Sequence, residues 1–572
     1  MVLITDNRDQ DNLARFSHLK WVFIGSHTGC LHLKGLLNEN NRIFIGKEIE
    51  DTIDLIRDNF IDFLGKISQH QNNKVLWYSS RMASKSIQTS MFNQYIYLKV
   101  LEKFLGSSPE DILIITDDKE FLYNAAKVFS NKIKFLNKKS LSLRPFSESQ
   151  SKYAKIGRYC IFWFLAGFFK NRKLNSFNIF IHSWIDERAF RKLPHYNDVY
   201  FNELEGILKK QGHNTARLTP LFVPLSNILK LNRNFDNIVH PLSYITLGDL
   251  FKNIFTVFKA DYNNDMPGSV KDKEILSFLF KNEVYKENRS KNYLEYLLFF
   301  SAYKKICSII NNNSVLIYPF ENQPWEKMLN LGFAGLNRIA YQHSTIPYNW
   351  LDYRFSEYEN SSLLPKTILT VGLKWADFLK RYSKDSVVEV AGAIRFSYLF
   401  NEGYKKVNHS RSGNIVVVLD MMPGISIPLQ KLLLSFLKNN DLSGYTIKIK
   451  PHQYLPEYAC FKNSFTGFTN CKFVNDNMSE LLKDCSLLVV SNSSVVFESV
   501  LSGIKTMYFI PEEPSLGFER FIRDSLYIAY EKDFAEKFQE ALESTKRPDI
   551  SINEYFSPPD YNVFIKHLKA KP

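Results

Sequence analysis

At 572 residues the chain is too long for one ordinary domain, and two or three are expected. Hydrophobic residues at 45% supply ample core, while aromatics at 15%, with 47 Phe and 30 Tyr, exceed what cores need and predict some sticky surface. A net charge of +14, from 73 basic and 59 acidic side chains, attracts anionic partners, but no basic run has the density of a nucleic-acid arm and no nucleic-acid motif occurs, which argues against that class.

Cys30, Cys160, Cys307, Cys460, Cys471 and Cys485 are scattered and never form Cys-x-x-Cys, the pattern of reduced residues in a cytosolic protein. Met1–Arg15 is polar and acidic enough to argue against a secretory signal, and nothing approaches the roughly twenty apolar residues of a spanning helix.

After that polar leader, Lys20–Gly25 reads as a strand, Asn41–Ile45 and Lys74–Tyr78 as further strands, and Ile49–Ile67 and Thr89–Leu105 as amphipathic helices. Asp111–Thr116 opens another βα unit, so residues 1–150 are expected to form an N-terminal α/β domain. Residues 151–174 hold an apolar core, Tyr159–Phe169, flanked by Lys155, Arg158, Lys170, Arg172 and Lys173. Two readings stand: a helix in the interface of an anionic membrane, or a buried connector.

Asn178–Trp184 is a strand leading to Asp186, Asp198–Gln211 is helical, and Ala216–Pro220 is a return strand. Leu247–Tyr262 and Ile275–Ile310 read as long, aromatic-rich helices. Val315–Tyr318 ends in Pro319-Phe320-Glu321-Asn322-Gln323, Arg338–Tyr341 ends in Gln342-His343-Ser344, and Thr367–Val371 and Val387–Ala391 end at Gly372 and Gly392. Residues 175–404 are therefore expected to form one Rossmann-like domain. Residues 405–550 form a second. In it, Asn414–Leu419 is followed by a turn containing Gly424, Tyr445–Lys450 stops at Pro451-His452-Gln453, and Ser486–Val490 ends in Ser491-Asn492-Ser493-Ser494 before a helix carrying Glu498. This order delivers Gly424, His452 and Ser491–Ser494 to one sheet edge, where helix-end N–H groups favour a phosphate and Glu498 can accept from ribose hydroxyls. The same residues would also serve as an N-cap and a surface carboxylate. Residues 551–572 are read as a segment that crosses back to brace the 175–404 domain.

Lys450-Pro451-His452-Gln453 and Ser491-Asn492-Ser493-Ser494 with Phe497-Glu498-Ser499 resemble the nucleotide-sugar elements of GT-B glycosyltransferases that build bacterial surface polysaccharides such as capsule, O-antigen and lipopolysaccharide. In several such families Lys-x-His-Pro and Ser-Ser/Thr elements hold a CMP-activated sialic acid or Kdo; Gln453 stands here where those have Pro. Phe320-Glu321-Asn322 and Gln342-His343-Ser344 also resemble signatures of surface-carbohydrate biosynthesis proteins, with Ser344 where Gly is usual. The resemblance implies an α/β fold of GT-B type, two facing Rossmann-like domains plus an extra N-terminal α/β domain. It implies transfer of a sugar from a nucleotide donor, a CMP-sugar first, to a glycan or lipid-linked glycan acceptor at the inner face of the cytoplasmic membrane.

The chemistry requires stabilisation of a departing phosphate, a grip on base and ribose, and a base for the acceptor hydroxyl. Lys450, His452, Ser491, Ser493 and Ser494 are the phosphate candidates. Glu321 is the first candidate base, beside an apolar Phe-Trp wall that raises a carboxylate's proton affinity, with Asp186 second and His343 as an assisting donor. The pair Asp9-x-Asp11 is not at a strand end, so neither a metal nor another cofactor is expected. Two alternatives remain: transfer of a polyol phosphate from a CDP-activated donor, and a non-catalytic nucleotide-sugar-binding assembly protein.

Overall fold

The computed structural model describes every residue except 1, 8–9, 27–29, 31–32, 34, 87–88, 108–110, 137–151, 185–197, 221–233, 261, 264, 266–267, 269, 402–412, 453–461 and 570–572. The described strands form three all-parallel sheets. The first comprises β1 (Val2–Asp6), β2 (Lys20–Phe23), β3 (Ile112–Thr116) and β4 (Ile133–Phe135), in the order β2-β3-β1-β4. The second comprises β5 (Ile179–His182), β6 (Thr215–Leu218), β7 (Ile238–Val239), β8 (Val315–Pro319), β9 (Asn337–Gln342), β10 (Thr367–Thr370) and β11 (Val387–Val390). The third comprises β12 (Asn414–Val418), β13 (Thr446–Lys450), β14 (Cys471–Phe473), β15 (Leu487–Val490), β16 (Lys505–Phe509) and β17 (Tyr527–Ala529).

The second sheet runs β11-β10-β9-β8-β5-β6-β7 and the third β14-β13-β12-β15-β16-β17. Counted within each sheet, the first strand sits between the second and the fourth, which is the doubly wound dinucleotide-fold order. Each sheet therefore reverses direction once, between β5 and β8 and between β12 and β15, and at those gaps the connections diverge to opposite faces. Both faces of the third sheet are covered: Ile415, Val417 and Val489 pack on one side and Val416, Val418 and Val490 on the other, the alternation that a strand's period of two imposes. The fold is α/β of GT-B type, with two doubly wound units contributing to one cleft.

The first sheet is a separate hydrogen-bonded unit, but its helices share a continuous apolar core with the second sheet, through residues such as Phe60, Phe63, Leu279 and Tyr303. Its long helix, Gly46–His70, docks on the third sheet: the Glu512 carboxylate accepts from the N–H groups of Ile45 (2.5 Å) and Gly46 (3.0 Å) at the helix's amino end. Arg42 forks onto Glu531 at 2.9 and 3.0 Å, and Arg523 donates to Glu50 at 2.8 Å.

Several expectations are corrected. Lys74–Tyr78 is a helix, because Asn73 accepts the Leu76 N–H at 3.0 Å and nucleates a turn where the apolar run alone suggested a strand. Asn41–Ile45 makes only a bridge to Trp21 beside a 3-10 turn. The leader contains a buried central strand, Val2–Asp6. Helix 198–211 shortens to Leu204–Lys210, because Asp198 instead accepts the N–H groups of Tyr200 and Phe201. The Lys152–Gly167 helix is neither wholly buried nor wholly free. Tyr159 donates to Glu295 and Trp163 to the Ile245 carbonyl on one side, while Ile161, Phe164 and Phe168 stay exposed on the other.

The C-terminal segment threads along the loops that follow β10 and β11. Ser557 donates to Val371, Ala393 to Ser557 and Asp560 to Ala391, each at 2.8 Å, and Phe556 stacks on Phe396. Glycines make this approach possible. A Cβ on Gly372 would stand 2.1 Å from the Tyr555 carbonyl oxygen, and one on Gly392, whose φ is +85°, would stand 2.0 Å from that of Pro558. Gly392→Ala is therefore expected to destabilise the protein by about 2 kcal/mol or more, read as a lower denaturant midpoint; an unchanged midpoint would show that the C-terminal segment does not hold this loop.

Candidate functional site

Register brings the carboxyl ends of the third sheet level: Val418 pairs with Lys450 on one side and Val490 on the other. A cavity of about 640 Å³ opens at this edge, over the reversal between β12 and β15. Its floor comes from Leu419–Met422, Lys450–His452 and Asn492–Val495, with Glu498 beyond. Its opposite wall, Trp350, Arg395, Phe396 and Tyr398, comes from the segments that follow β9 and β11 of the second sheet.

The structure gathers Lys450, His452, Ser493, Ser494 and Glu498 around this space and leaves other expected residues out. Ser491 is wholly buried beneath the floor and does not line the cavity. Gly424 does not line it either: a Cβ there would fall 2.2 Å from Glu513 Oε1, so this glycine makes room for a carboxylate of the chain itself. Glu498 is not on an outward helix face; it is 6% exposed, because the wall at Tyr398 covers it and the Tyr398 hydroxyl donates to its Oε2. Asp186 lies outside the described residues, as does Gln453.

The floor carries one cation, Lys450, together with the Asp420 carboxyl, and the Glu498 carboxyl stands beyond it. Lys450 Nζ donates to the Asp476 carbonyl at 2.7 Å, which aims the ammonium along the cavity edge. Desolvation lowers the proton affinity of Lys450, and desolvation followed by the nearby Lys450 charge lowers that of His452, which therefore enters as a neutral imidazole and an adaptable donor. Burial pushes Glu498 up to about 7 against the opposing pull of Arg395, and Asp420 up to about 6 although it accepts the Met422 N–H. The helix behind Ser494, Val495–Leu501, is only seven residues long and Ser494 makes no side-chain cap, so hydroxyls and cations carry more of any anion's field here than a helix dipole would.

Glu321 follows β8 at the matching edge of the second sheet. The helix that begins at Pro324 is capped by Glu326, whose carboxylate accepts from the backbone of Glu321 (2.9 Å), Asn322 (3.0 Å) and Gln323 (3.1 Å). The Glu321 side chain is thus left to other work. Desolvation raises it to about 7, with Arg395 pulling the other way. His343 Nε2 stands 3.7 Å from Glu321 Oε1, too far for a hydrogen bond, and burial holds this histidine neutral, down to about 3. Its ring packs edge-on against Tyr200.

Arg395, Tyr398 and Asp420 were missed in the sequence. Arg395 is the informative one: it is exposed at the cleft, and its charge reaches Glu321, Glu498 and His343, which belong to both doubly wound units. A lone arginine three residues after a strand-end glycine, in Gly392-Ala-Ile-Arg395, was the available signal. Among the described residues, no group of three or more His, Cys, Asp or Glu is placed to hold a metal.

No family model matches the chain, and no curated protein matches it in sequence. Solved structures do. It is similar to the UDP-GlcNAc 2-epimerase of Neisseria meningitidis bound to UDP-GlcNAc, at 11% identity and TM-score 0.40 over 68% of this chain and 99% of that one. It is similar to S. aureus MnaA with UDP, at 9% and 0.41 over 68% and 95%, and to Acinetobacter baumannii MurG, at 10% and 0.38 over 68% and 98%. Likeness at this level says nothing of chemistry, and the fold rests on the strand orders given above.

The raised carboxyls give the site a pH signature. Glu498, at 4.5 when exposed in an unfolded chain and about 7 when folded, binds its proton more tightly in the folded protein. The stability this confers is full below about pH 4.5 and lost as pH rises through about 7. Glu498→Gln is expected to flatten that fall in unfolding free energy, measured by denaturant titration at a series of pH values. A slope identical to that of the parent would mean that Glu498 ionises normally.

Proposed function

We propose that the protein is a metal-independent glycosyltransferase that moves a sugar from a nucleotide donor, a CMP-sugar first, to a lipid-linked or growing surface-polysaccharide acceptor at the inner face of the cytoplasmic membrane. The observation that carries this reading is a single cavity edged by Arg395 and Glu498 over a floor of Lys450, His452, Ser493 and Ser494, with the Arg395 charge also felt at Glu321 of the other doubly wound unit. One flank suits a nucleotide and the other a base.

In this reading the donor phosphate lies on Lys450, His452 and the two serine hydroxyls. The Glu498 oxygen not taken by Tyr398 accepts from the ribose. Glu321 removes the proton of the acceptor hydroxyl as its oxygen bonds to the anomeric carbon; the bond from that carbon to the phosphate oxygen breaks, and its electron pair leaves with the phosphate. Lys450 and Arg395 balance the charge that develops there, a role worth roughly 3–4 kcal/mol for a well-placed donor. A carboxylate with its proton affinity near neutrality is matched to general-base work.

A panel of CMP-, CDP-, UDP- and GDP-sugars, read first by thermal shift and then by nucleotide release in excess chelator, tests the donor and the absence of a required metal. CMP-sugar turnover is expected to persist in chelator; complete inhibition reversed by added metal would overturn that part. His452→Ala is expected to cut kcat/KM by about 10²–10³-fold without shifting the unliganded melting temperature. Normal turnover by this variant would remove the phosphate site.

Because the base must be ionised, kcat/KM is expected to rise with pH through about 7. Glu321→Gln should abolish that limb and lower the rate by about 10²–10⁴-fold. A limb that survives the substitution would assign the base to another group.

A further inference from the structure

The Leu247–Phe258 helix exposes an apolar stripe that no core requires. Leu250, Asn253 and Val257 face inward, whereas Leu247, Phe251 and Phe255, at spacing i, i+4, i+8, point outward and are 52%, 61% and 59% exposed. The Lys152–Gly167 helix and the turn after it carry a second stripe, with Ile161, Phe164 and Phe168 at 59%, 60% and 71%. Shared anchor segments set the two stripes on neighbouring helices, taken together as one patch. Lys155 donates to Ser290 and Asn292, and Trp163 to Ile245 just before the other helix begins; at that helix's far end the Val257 carbonyl accepts from Lys291 and Tyr293. The helices thus run in opposite directions, pinned to the same turn and the same first turn of the Tyr293–Ile309 helix.

The rim of this patch is basic. Arg158, Lys170, Arg172, Lys173, Lys252 and Lys259 are all exposed around it. Lys259 Nζ lies 4.3 Å from the Phe255 ring centroid and Arg158 Cζ lies 5.0 Å from that of Phe162, so the charged ends sit at the edge of the apolar surface. The acids nearby are already engaged: Asp249 pairs with Lys305 at 3.0 Å, and Glu295 is held by Tyr159. A second copy presenting the same face would bring like charges together, whereas anionic headgroups would neutralise them.

We infer that the Leu247–Phe258 helix, paired with the Lys152–Gly167 helix, forms a docking face for an anionic lipid bilayer, with the aromatic stripes entering the acyl boundary and the basic rim meeting headgroup phosphates. This rests on the exposed faces of two helices and not on the donor site, so either can fail without the other. The full-length protein is expected to sediment with vesicles of equal parts phosphatidylglycerol and phosphatidylcholine, hardly at all with pure phosphatidylcholine, and less as salt rises. The Phe251→Ser/Phe255→Ser variant should bind those vesicles at least about tenfold more weakly at an unchanged melting temperature, since both side chains are already largely in water. Equal sedimentation of parent and variant would overturn the inference. So would a concentration-dependent dimer, seen by analytical ultracentrifugation, that the same variant dissolves, because the occupant would then be a second copy. Lys252→Glu/Lys259→Glu, which leaves the apolar stripe intact, should lose the preference for phosphatidylglycerol; retention of that preference would also count against the proposal.

Discussion

The facing of the two doubly wound units depends on the exchange of backbone hydrogen bonds between the C-terminal segment and the loops after β10 and β11. Two positions without a Cβ, Gly372 and Gly392, let the main chains meet. The consequence reaches the cleft directly: Ala393 is bonded to Ser557, Phe396 is stacked on Phe556, and the residues between and beyond are Arg395 and Tyr398. A segment remote from any chemistry thereby sets where the wall's cation and phenol stand. That loop is a short 3-10 stretch with an irregular Phe396, so its geometry comes from packing against the returning chain more than from helical hydrogen bonding.

The floor is held by a different device. Asn322 after β8 and Asn492 after β15 both adopt left-handed backbone, with φ of 56° and 50°. Each is tied down by its side chain: Asn322 donates to the Asp352 carbonyl at 2.6 Å, and Asn492 accepts the Leu516 N–H at 2.6 Å while its own N–H donates to Tyr508. Strain of this sort, of order 1–3 kcal/mol, persists where surrounding bonds over-determine the turn, and here it turns the chain sharply just beside Glu321 and Ser493. Rigid turns on both sides of the cleft put its polar side chains on fixed supports.

The α/β alternation and the edge residues of the third sheet were legible because buried parallel strands read as apolar runs that stop abruptly at polar turns, and each stop marks the same edge. His452, Ser493, Ser494 and Glu498 were found that way. Spacing could not show which way a side chain points: Ser491 turns under the floor, and Glu498 is covered by a phenol a hundred residues earlier in the chain. Arg395 was missed for the same reason, since its partners are brought together only by the cleft. At Lys74–Tyr78 a short apolar run fitted strand and helix equally, and one capping asparagine decided it. The outward stripe of the Leu247–Phe258 helix was hidden by a sequence apolar on both faces, in which the inward and outward rows look alike.

The docking of the Gly46–His70 helix on Glu512 has a consequence for synthesis. Its acceptor lies 467 residues further along the chain, and the partner of Arg42 further still, at Glu531. At about 5–20 residues per second, the ribosome needs roughly 25 to 90 s to reach them after the helix has emerged. Through that interval the helix's amino end is without its carboxylate, and the flank that meets the third sheet is bare. These contacts of the nascent N-terminal unit are therefore completed only after the chain has been made past Glu531.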